Sequence, residues 1–95
     1  MIKRIVKLTF EAGKAETFQE IYAASKPKIL QQPGCRHLEL WRDVKNPDTF
    51  FTYSHWDDED SLNTYRKSDF FRGVWPRTKA ILAAKPEAWS VKIAD

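Results

Sequence analysis

Few side chains in this sequence can transfer a proton near neutral pH. Its only two histidines are His37 and His55, and an unperturbed imidazole titrates at a pH of about 6.5, where it can take a phenolic proton. Tyr65 can donate to a phenolic oxygen, but an ordinary tyrosine pKa of about 10 makes it a poor base at pH 7. Lone histidines on strands are more often surface or interface residues than catalysts. His37 and His55 therefore rank below Tyr65 as candidate acid–base residues.

Cys35 is the only cysteine, which excludes an intrachain disulfide and any CxxC motif. His37 lies two residues further on, on the same side of a regular strand, and a nearby imidazole can lower the pKa of a thiol. No third group orients this pair, so cysteine catalysis is disfavoured. We expect neither a metal nor a cofactor, because His/Asp/Glu clusters with ligand spacing and Gly-rich phosphate loops are both missing.

The charge pattern argues against nucleic acid as a partner. The formal net charge is +3, and the basic residues nearest to a cluster would spread around one solvated helix face. These residues are Arg66, Lys67, Arg72, Arg77 and Lys79. No Arg-rich arm or RNP-like motif accompanies them. With no signal-like segment after Met1 and no long apolar run, we expect a soluble cytoplasmic protein that does not bind a membrane.

Hydrophobic periodicity predicts one domain spanning residues 1–95. A helix of period 3.6 should follow Ala15, with a kink near Ser25 because Pro27 lies inside it. Asn46-Pro47-Asp48 has turn chemistry and should join the second and third strands into a hairpin. The predicted strands run from Ile2 to Phe10, from Arg36 to Asp43, from Phe50 to Trp56, and through Trp89, Val91 and Ile93.

A second helix should begin at the acidic run of residues 57–60. Acidic groups stabilise the positive end of a helix, and Asp57 with Asp60 approximates a capping box. Four adjacent carboxylates at a helix start cannot converge on one ion, so capping is favoured over metal binding. Ser68–Asp69 and Gly73–Pro76 mark expected breaks. The order βαββαβ is that of the ferredoxin-like α+β fold, with two helices on one face of a four-stranded antiparallel sheet.

The third strand is apolar or aromatic on both faces. Phe50 and Trp56 fall on one parity and Phe51 and Tyr53 on the other, whereas a sheet with one wet face alternates cleanly. Two helices cover only one face of four strands, so the second dry face needs another cover. An identical sheet related by a two-fold axis is the simplest one, which predicts a homodimer formed through the sheet. If Trp56 faces a pocket, His55 faces the partner.

Three segments resemble the antibiotic biosynthesis monooxygenase (ABM) domain family. They are Pro33-Gly34-Cys35 before strand two, the hairpin strand ending in Trp56, and Ser68-Asp69-Phe70-Phe71 in the second helix. The resemblance covers nearly the whole chain in element order and spacing. It implies a dimeric α+β barrel. For the quinol and anthrone oxygenases of that family, it also implies a reaction with dioxygen that needs no metal.

The resemblance further implies a substrate pocket between the second helix and the sheet. A cofactor-free oxygenase must bind a flat ring, favour its anion and exclude water, because an electron-rich anion can itself pass an electron to dioxygen. Taken singly, each aromatic residue there is more often core than active site. Trp56 and Tyr65 are the expected catalytic residues, and the expected pocket wall comprises Phe70, Phe71, Trp75, Val6 and Leu38.

Departures from the family pattern leave alternatives open. Haem-degrading members use Asn, Trp and His at the places held here by Val6, Tyr65 and Trp75, so the resemblance argues against haem degradation. Other members often have histidines where Tyr65 and Asp69 stand, and an acidic residue where Ser54 stands. The predicted function is a monooxygenase acting on a quinol or hydroxylated aromatic. The alternative is a non-catalytic small-molecule-binding or stress-response module on the same scaffold.

Overall fold

The computed structural model describes all 95 residues. The chain forms four strands and three helices, joined by turns. In chain order these are β1 (Ile2–Thr9), α1 (Ala15–Leu30), β2 (Cys35–Arg42), β3 (Thr49–Trp56), α2 (Glu59–Arg66), α3 (Asp69–Lys79) and β4 (Glu87–Val91). The strands pair antiparallel in the order β2-β3-β1-β4, so the predicted ferredoxin-like α+β fold is confirmed. None of the three helices has the length and apolar composition needed to span a membrane.

The second helical region is two helices rather than one. α2 ends at Arg66, and Ser68 adopts an extended conformation. The Ser68 hydroxyl oxygen accepts a hydrogen bond from the Phe71 backbone N–H at 3.1 Å, which caps the start of α3. The break predicted at Ser68–Asp69 is confirmed, and it gives the sheet three covering helices instead of the predicted two.

Both internal prolines are accommodated within continuous helices. α3 continues past Pro76, so the break predicted at Gly73–Pro76 is wrong. The reason is that proline removes only one donor from the helix, and the Ala80 N–H still bonds the Pro76 carbonyl at 3.0 Å. α1 also runs unbroken through Pro27, from Ala15 to Leu30, and the kink expected near Ser25 stays a prediction.

The start of α2 differs from the predicted capping box. Its N-cap is Asp58, whose carboxylate accepts the Ser61 backbone N–H at 2.8 Å, and this bond lowers the pKa of Asp58. Asp57 instead forms a bidentate salt bridge with Arg36 of β2, at 2.8 and 2.7 Å. The capping box of Asp57 with Asp60 is therefore wrong, because a basic residue distant in sequence binds the Asp57 carboxylate.

The core has two buried clusters at opposite ends of β3, on the face that carries the helices. Phe10, Phe18 and Phe50 form the first, with ring centroids 4.3 Å apart for Phe10–Phe18 and 5.4 Å apart for Phe18–Phe50. The second joins Cys35 and Trp56 to a leucine of α2. The space between these clusters is not filled by side chains, and it holds the cavity described below.

The other sheet face carries no helix. The strand register places Glu39, Tyr53, Ile5 and Trp89 in one row across all four strands. Trp41 stacks on Tyr53 with ring centroids 4.5 Å apart and planes 19° apart. Trp41 and Trp89 remain 40% and 44% exposed. We call this surface the open face, and Phe51 and Tyr53 of β3 lie on it, as strand parity predicts.

Candidate active site

A cavity of about 300 Å³ lies between the sheet and all three helices. Its volume is that of a pocket for a small organic ligand, and 14 of its 21 lining residues are hydrophobic. The strands contribute Arg4, Val6, Leu8, Leu38, Thr52, Ser54, Trp56 and Ala88. The remaining lining residues are Phe18, Ile21, Tyr22, Ser25, Ile29, Leu62, Tyr65, Arg66, Phe71, Val74, Trp75, Thr78 and Pro86.

One wall of the cavity is a continuous row of aromatic rings. Trp56 and Tyr65 stack with centroids 5.1 Å apart and planes 23° apart, and the edge of Phe71 meets Tyr65 at 5.2 Å. Phe71 and Trp75 lie nearly parallel, with centroids 6.0 Å apart. Phe71 and Trp75 are four residues apart on α3, which places them on the same helix face. This wall suits a flat aromatic ligand, which can stack on it.

Trp56 is held in a fixed orientation. Its side chain is 1% exposed, and its indole Nε1 donates a hydrogen bond to Ser54 Oγ at 3.0 Å. Trp56 packs in the same cluster as Cys35 and Leu62. A buried indole N–H needs such a partner, so Ser54 fixes the ring that forms the base of the aromatic row.

Two tyrosines line the cavity and both stay protonated at neutral pH. Burial raises the pKa of Tyr65 to about 12, with a smaller contribution from Cys35. Burial, helped by Glu39, likewise raises the pKa of Tyr22 to about 12. The Tyr22 hydroxyl oxygen is buried without a hydrogen-bond partner. Both groups can therefore donate a hydrogen bond to a ligand, and neither serves as a base at pH 7.

The cavity also contains two arginines and no acidic side chain. Arg4 lies in the middle of β1, where Nη1 donates to Ser90 Oγ at 3.0 Å. Arg66 is the last residue of α2. Burial, and then the positive charge of Arg66, lower the pKa of Arg4. The two guanidinium groups therefore make one part of a largely apolar pocket electropositive.

Six of the predicted site residues line this cavity: Trp56, Tyr65, Phe71, Trp75, Val6 and Leu38. Phe70 does not line it, contrary to expectation. Successive helix residues point about 100° apart, and Phe70 is directed toward α1, where Lys28 Nζ lies 5.9 Å from its ring centroid. The family motif names two adjacent phenylalanines, but only one of them can face the pocket.

His37 and His55 lie on the open face, on the opposite side of the sheet from the cavity. Their ring centroids are 4.9 Å apart, and His37 Nε2 lies 2.7 Å from Glu39 Oε2. The His55 Nε2 atom is buried and has no hydrogen-bond partner. Burial, followed by the charges of Lys3 and His37, lowers the pKa of His55. Neither imidazole is placed to take a proton from a ligand in the cavity.

A β-bulge separates Cys35 from His37. The pairing of β2 with β3 shifts register between these two residues, so the expectation that they share a side of the strand is wrong. Cys35 packs under α2 with Trp56, whereas His37 lies on the open face against His55. Burial raises the pKa of the Cys35 thiol. Cys35 is therefore a core residue rather than an activated thiolate.

Several polar cavity residues are absent from the candidates that the sequence suggests. Arg4 alternates in step with Val6 and Leu8 along β1, so the sequence alone indicates that it lies on the inward face. Tyr22 and Ser25 belong to the apolar stripe of α1, where an aromatic residue is most simply interpreted as core. The Ser25 hydroxyl donates to the Ile21 carbonyl at 2.7 Å, so its hydrogen bond is satisfied locally. Arg4 is the residue that the pattern could have identified.

The residues present do not fit a haem site with a histidine ligand. The cavity wall contains neither histidine nor cysteine, so it offers no imidazole or thiolate to iron. No group of three or more His, Cys, Asp or Glu side chains is placed to share a metal ion.

Fold and cavity together define a ferredoxin-like α+β domain with a small-molecule pocket between its sheet and its helices. The family model described as antibiotic biosynthesis monooxygenase matches residues 1–74. This chain belongs to that family, which confirms the resemblance seen in its sequence. No curated protein matches the chain significantly.

Solved structures show how widely this fold recurs. A crystal structure described as an antibiotic biosynthesis monooxygenase has a TM-score of 0.93 at 20% identity, with both chains covered completely. A conserved protein from Methanosarcina mazei has a TM-score of 0.91 at 22% identity, and the alignment covers 96% of this chain and 90% of that one. A Pseudomonas aeruginosa protein has a TM-score of 0.85 at 19% identity, and the alignment covers 98% of this chain and 94% of that one. At these identities the likeness establishes the fold alone.

Proposed function

We propose that this protein is a monooxygenase that oxidises a quinol or related hydroxylated aromatic molecule with dioxygen and without a cofactor. The observation that supports this function is the aromatic-walled cavity of about 300 Å³, in which Trp56, Tyr65 and Phe71 are in contact. Membership of the antibiotic biosynthesis monooxygenase family agrees with it. A flat ring fits beside this row, and the apolar walls keep water from a reactive anion.

The substrate itself supplies the electrons in this reaction. A quinol that has lost one proton to solvent passes an electron to dioxygen, and the substrate radical and superoxide so formed combine at a ring carbon as a peroxide. Cleavage of the O–O bond leaves one oxygen atom on the ring as a new hydroxyl group and releases the other as water. The ring meanwhile becomes a quinone. All four electrons that reduce dioxygen come from the substrate, two from the C–H carbon and two from the quinol.

Trp56 and Tyr65 have distinct roles in the proposal. Trp56 is fixed by Ser54 and stacked on Tyr65, so it orients the ring of the bound substrate. Tyr65 remains protonated, because its pKa is about 12, and its hydroxyl donates a hydrogen bond to the substrate oxygen. That bond stabilises the anion that must form before electron transfer.

The proposal includes a homodimer formed through the open face. Trp41, Trp89 and Val91 are 40%, 44% and 43% exposed there in a single chain. A second copy in face-to-face contact would cover these side chains, since two sheets pack about 10 Å apart. The cavity lies on the opposite side of the sheet and stays accessible. We place the protein in the cytoplasm, where its single free cysteine stays reduced.

An oxygen electrode tests the activity. Purified protein in chelator-treated buffer should accelerate oxygen uptake by at least one member of a panel of reduced quinols and anthrones. With ¹⁸O₂, one labelled atom should enter the product. Trp56→Phe and Tyr65→Phe should each lower kcat by about tenfold or more, since each removes a group that positions or stabilises the anion.

Two neighbouring phenylalanines supply a matched control. Phe71→Leu removes a ring from the cavity wall, whereas Phe70→Leu makes the same change outside it. The first variant should lose activity and the second should retain it. Equal losses would show that α3 stability, not the pocket, controls the rate. Oxygen uptake no faster than with heat-denatured protein, for every compound, would refute the proposal.

A non-catalytic binding module remains the second candidate. The observation that favours it is the absence of histidine, aspartate and glutamate from the cavity wall, so the site has no side-chain base that titrates near neutrality. Quenching of tryptophan fluorescence by quinols, with no oxygen uptake and with the quinol recovered unchanged, would identify the protein as such a module.

A further inference from the structure

Arg4 and Arg66 line the same cavity without a carboxylate partner. The salt bridges of the chain are Lys7–Glu87, Arg36–Asp57 and His37–Glu39, and neither cavity arginine takes part in one. A guanidinium has five N–H donors, and the Arg4 hydrogen bond within the chain uses one of them, toward Ser90. Donors therefore remain free at the cavity wall.

Ordinary structural roles account for only part of this arrangement. Arg66 ends α2, where a positive charge interacts favourably with the helix dipole. That role requires no second arginine, and Arg66 is close enough to lower the pKa of Arg4. Two like charges beside an apolar space repel each other, and a bound anion would turn this repulsion into attraction.

Other polar groups on the cavity wall also have unused hydrogen-bonding capacity. The Tyr22 hydroxyl is buried without a partner, and a buried donor without an acceptor is unfavourable. Ser54 accepts the Trp56 indole N–H and can still donate its own hydroxyl proton. Ser54 is also the β3 residue paired with Arg4 in the sheet register. The free donors of Arg4 and Ser54 therefore adjoin the aromatic row.

We propose that the cavity binds an aromatic carboxylate, with its ring on the Trp56–Tyr65 row and its anionic group on Arg4 and Arg66. A carboxylate is planar and has two oxygens, which match the N–H pairs of guanidinium groups. The wall brings no acidic side chain that would repel it. This inference rests on the proposed function, and it narrows the substrate class to hydroxylated aromatic acids.

The test uses ligands that do not react with oxygen. Binding of 2-naphthoate and of its uncharged amide, 2-naphthamide, is measured by isothermal titration calorimetry with the full-length protein. The two compounds have the same ring and nearly the same shape. Wild-type protein should bind the acid about tenfold more tightly than the amide, which is the gain expected from a charge-assisted hydrogen bond. Added sodium chloride should weaken binding of the acid alone.

Three arginine variants locate the charge. Arg4→Gln and Arg66→Gln should each reduce the preference for the acid and leave the amide affinity unchanged. Arg72→Gln removes a positive charge from α3 outside the cavity, and it should preserve the preference. Equal binding of acid and amide by the wild type would overturn the inference, and so would failure of both to bind at millimolar concentration. A preference that survives both cavity substitutions would also overturn it.

The wild-type comparison needs no variant, so the inference can be tested even if Arg4→Gln fails to fold. Its outcome is separate from that of the proposed function. Preferential binding of the acid, with no oxygen uptake for any quinol, would support the carboxylate site and refute the oxygenase activity. Oxygen uptake with a quinol, but without preferential binding of the acid, would support the oxygenase activity and refute the carboxylate site.

Discussion

The Trp56 indole N–H donates to Ser54 Oγ, 3.0 Å away and two residues earlier on the same face of β3. Both side chains are buried, at 1% and 6% exposure. An acidic side chain at position 54 could make the same bond, but it would bring a negative charge to the cavity beside Arg4. The serine fixes the tryptophan and leaves the arginine free.

A double-mutant cycle should detect this hydrogen bond. Ser54→Ala leaves a buried indole N–H without an acceptor, so it should lower the free energy of unfolding by about 1–3 kcal/mol. In a Trp56→Phe background the same substitution should cost less, by about 0.5–1.5 kcal/mol. Urea unfolding of the four proteins measures the difference. Additive effects of the two substitutions would contradict the coupling.

Alkaline titration should separate the cavity tyrosines from free tyrosine. Burial raises the pKa of both Tyr22 and Tyr65 to about 12, so their phenolate absorbance at 295 nm should develop only near that pH. In the unfolded chain both pKa values return to about 10. The folded state thus retains protons that the unfolded state has lost between pH 10 and 12, and stability falls as pH rises through that window.

The measurement is unfolding by urea at pH 8, 10 and 11. Tyr65→Phe should reduce the loss of stability between pH 10 and 11, because a phenylalanine cannot ionise. Tyr22→Phe should act in the same direction and should also stabilise the protein at pH 8, since it removes a buried hydroxyl without a partner. A pH dependence unchanged in both variants would show that other groups control alkaline unfolding.

Local patterns in the sequence account for most of the fold. The alternation of Leu38 with His37 and of Trp56 with His55 assigns the two faces of the hairpin correctly. The regular period of α1 predicts its bounds despite Pro27. These features depend on neighbours within a few residues, so strand parity and helix period suffice to derive them.

The errors arise where a distant residue or a single extra residue changes a local rule. Asp57 binds Arg36 from another element, which no helix-start pattern reveals. The bulge after Cys35 reverses the parity that links it to His37. Both errors concern the contact between the first residues of β2 and the start of α2. Arg4 is a different case, because strand parity already places it on the inward face with Val6 and Leu8, and only its role in the cavity requires the structure.

Cys35 should be slow to react with thiol reagents. It is 8% exposed, and burial raises its pKa, so both access and thiolate fraction are reduced. At pH 8 the rate of its reaction with DTNB should be about 100-fold lower in native protein than in urea-unfolded protein, because modification requires local opening. Equal rates would show an exposed thiolate. Cys35→Ala should retain the proposed oxygen uptake.

A charge on the open face should disrupt the proposed dimer. Tyr53 lies at the centre of the cross-strand row and under Trp41, so Tyr53→Glu would bury a second carboxylate beside Glu39 in the interface. Sedimentation velocity should show a wild-type dimer and a dissociation constant at least about 30-fold higher for this variant. Val44→Glu makes an equivalent change at a residue that is 97% exposed, and it should remain dimeric. A wild type that is monomeric at all concentrations would refute the dimer.

Two glycines with the same backbone conformation should respond differently to alanine. Gly13 and Gly34 have φ values of +81° and +84°, so Ala strains the backbone at either position by about 1–2 kcal/mol. A Cβ on Gly13 would meet open space, whereas one on Gly34 would overlap the Ser61 side chain at the start of α2. The Gly34 carbonyl also accepts the Asp57 N–H at 2.9 Å, which ties this turn to the residue after Trp56.

Gly34→Ala should therefore lower the free energy of unfolding by about 1–3 kcal/mol more than Gly13→Ala, the usual cost of forcing a group into a packed site. Urea unfolding of the two variants measures this difference directly, with Gly13→Ala reporting the backbone strain alone. Because Ser61 must move together with α2, Gly34→Ala should also weaken ligand binding in the cavity, to which α2 contributes Tyr65. Equal stabilities for the two variants would show that the turn and α2 are not in close contact.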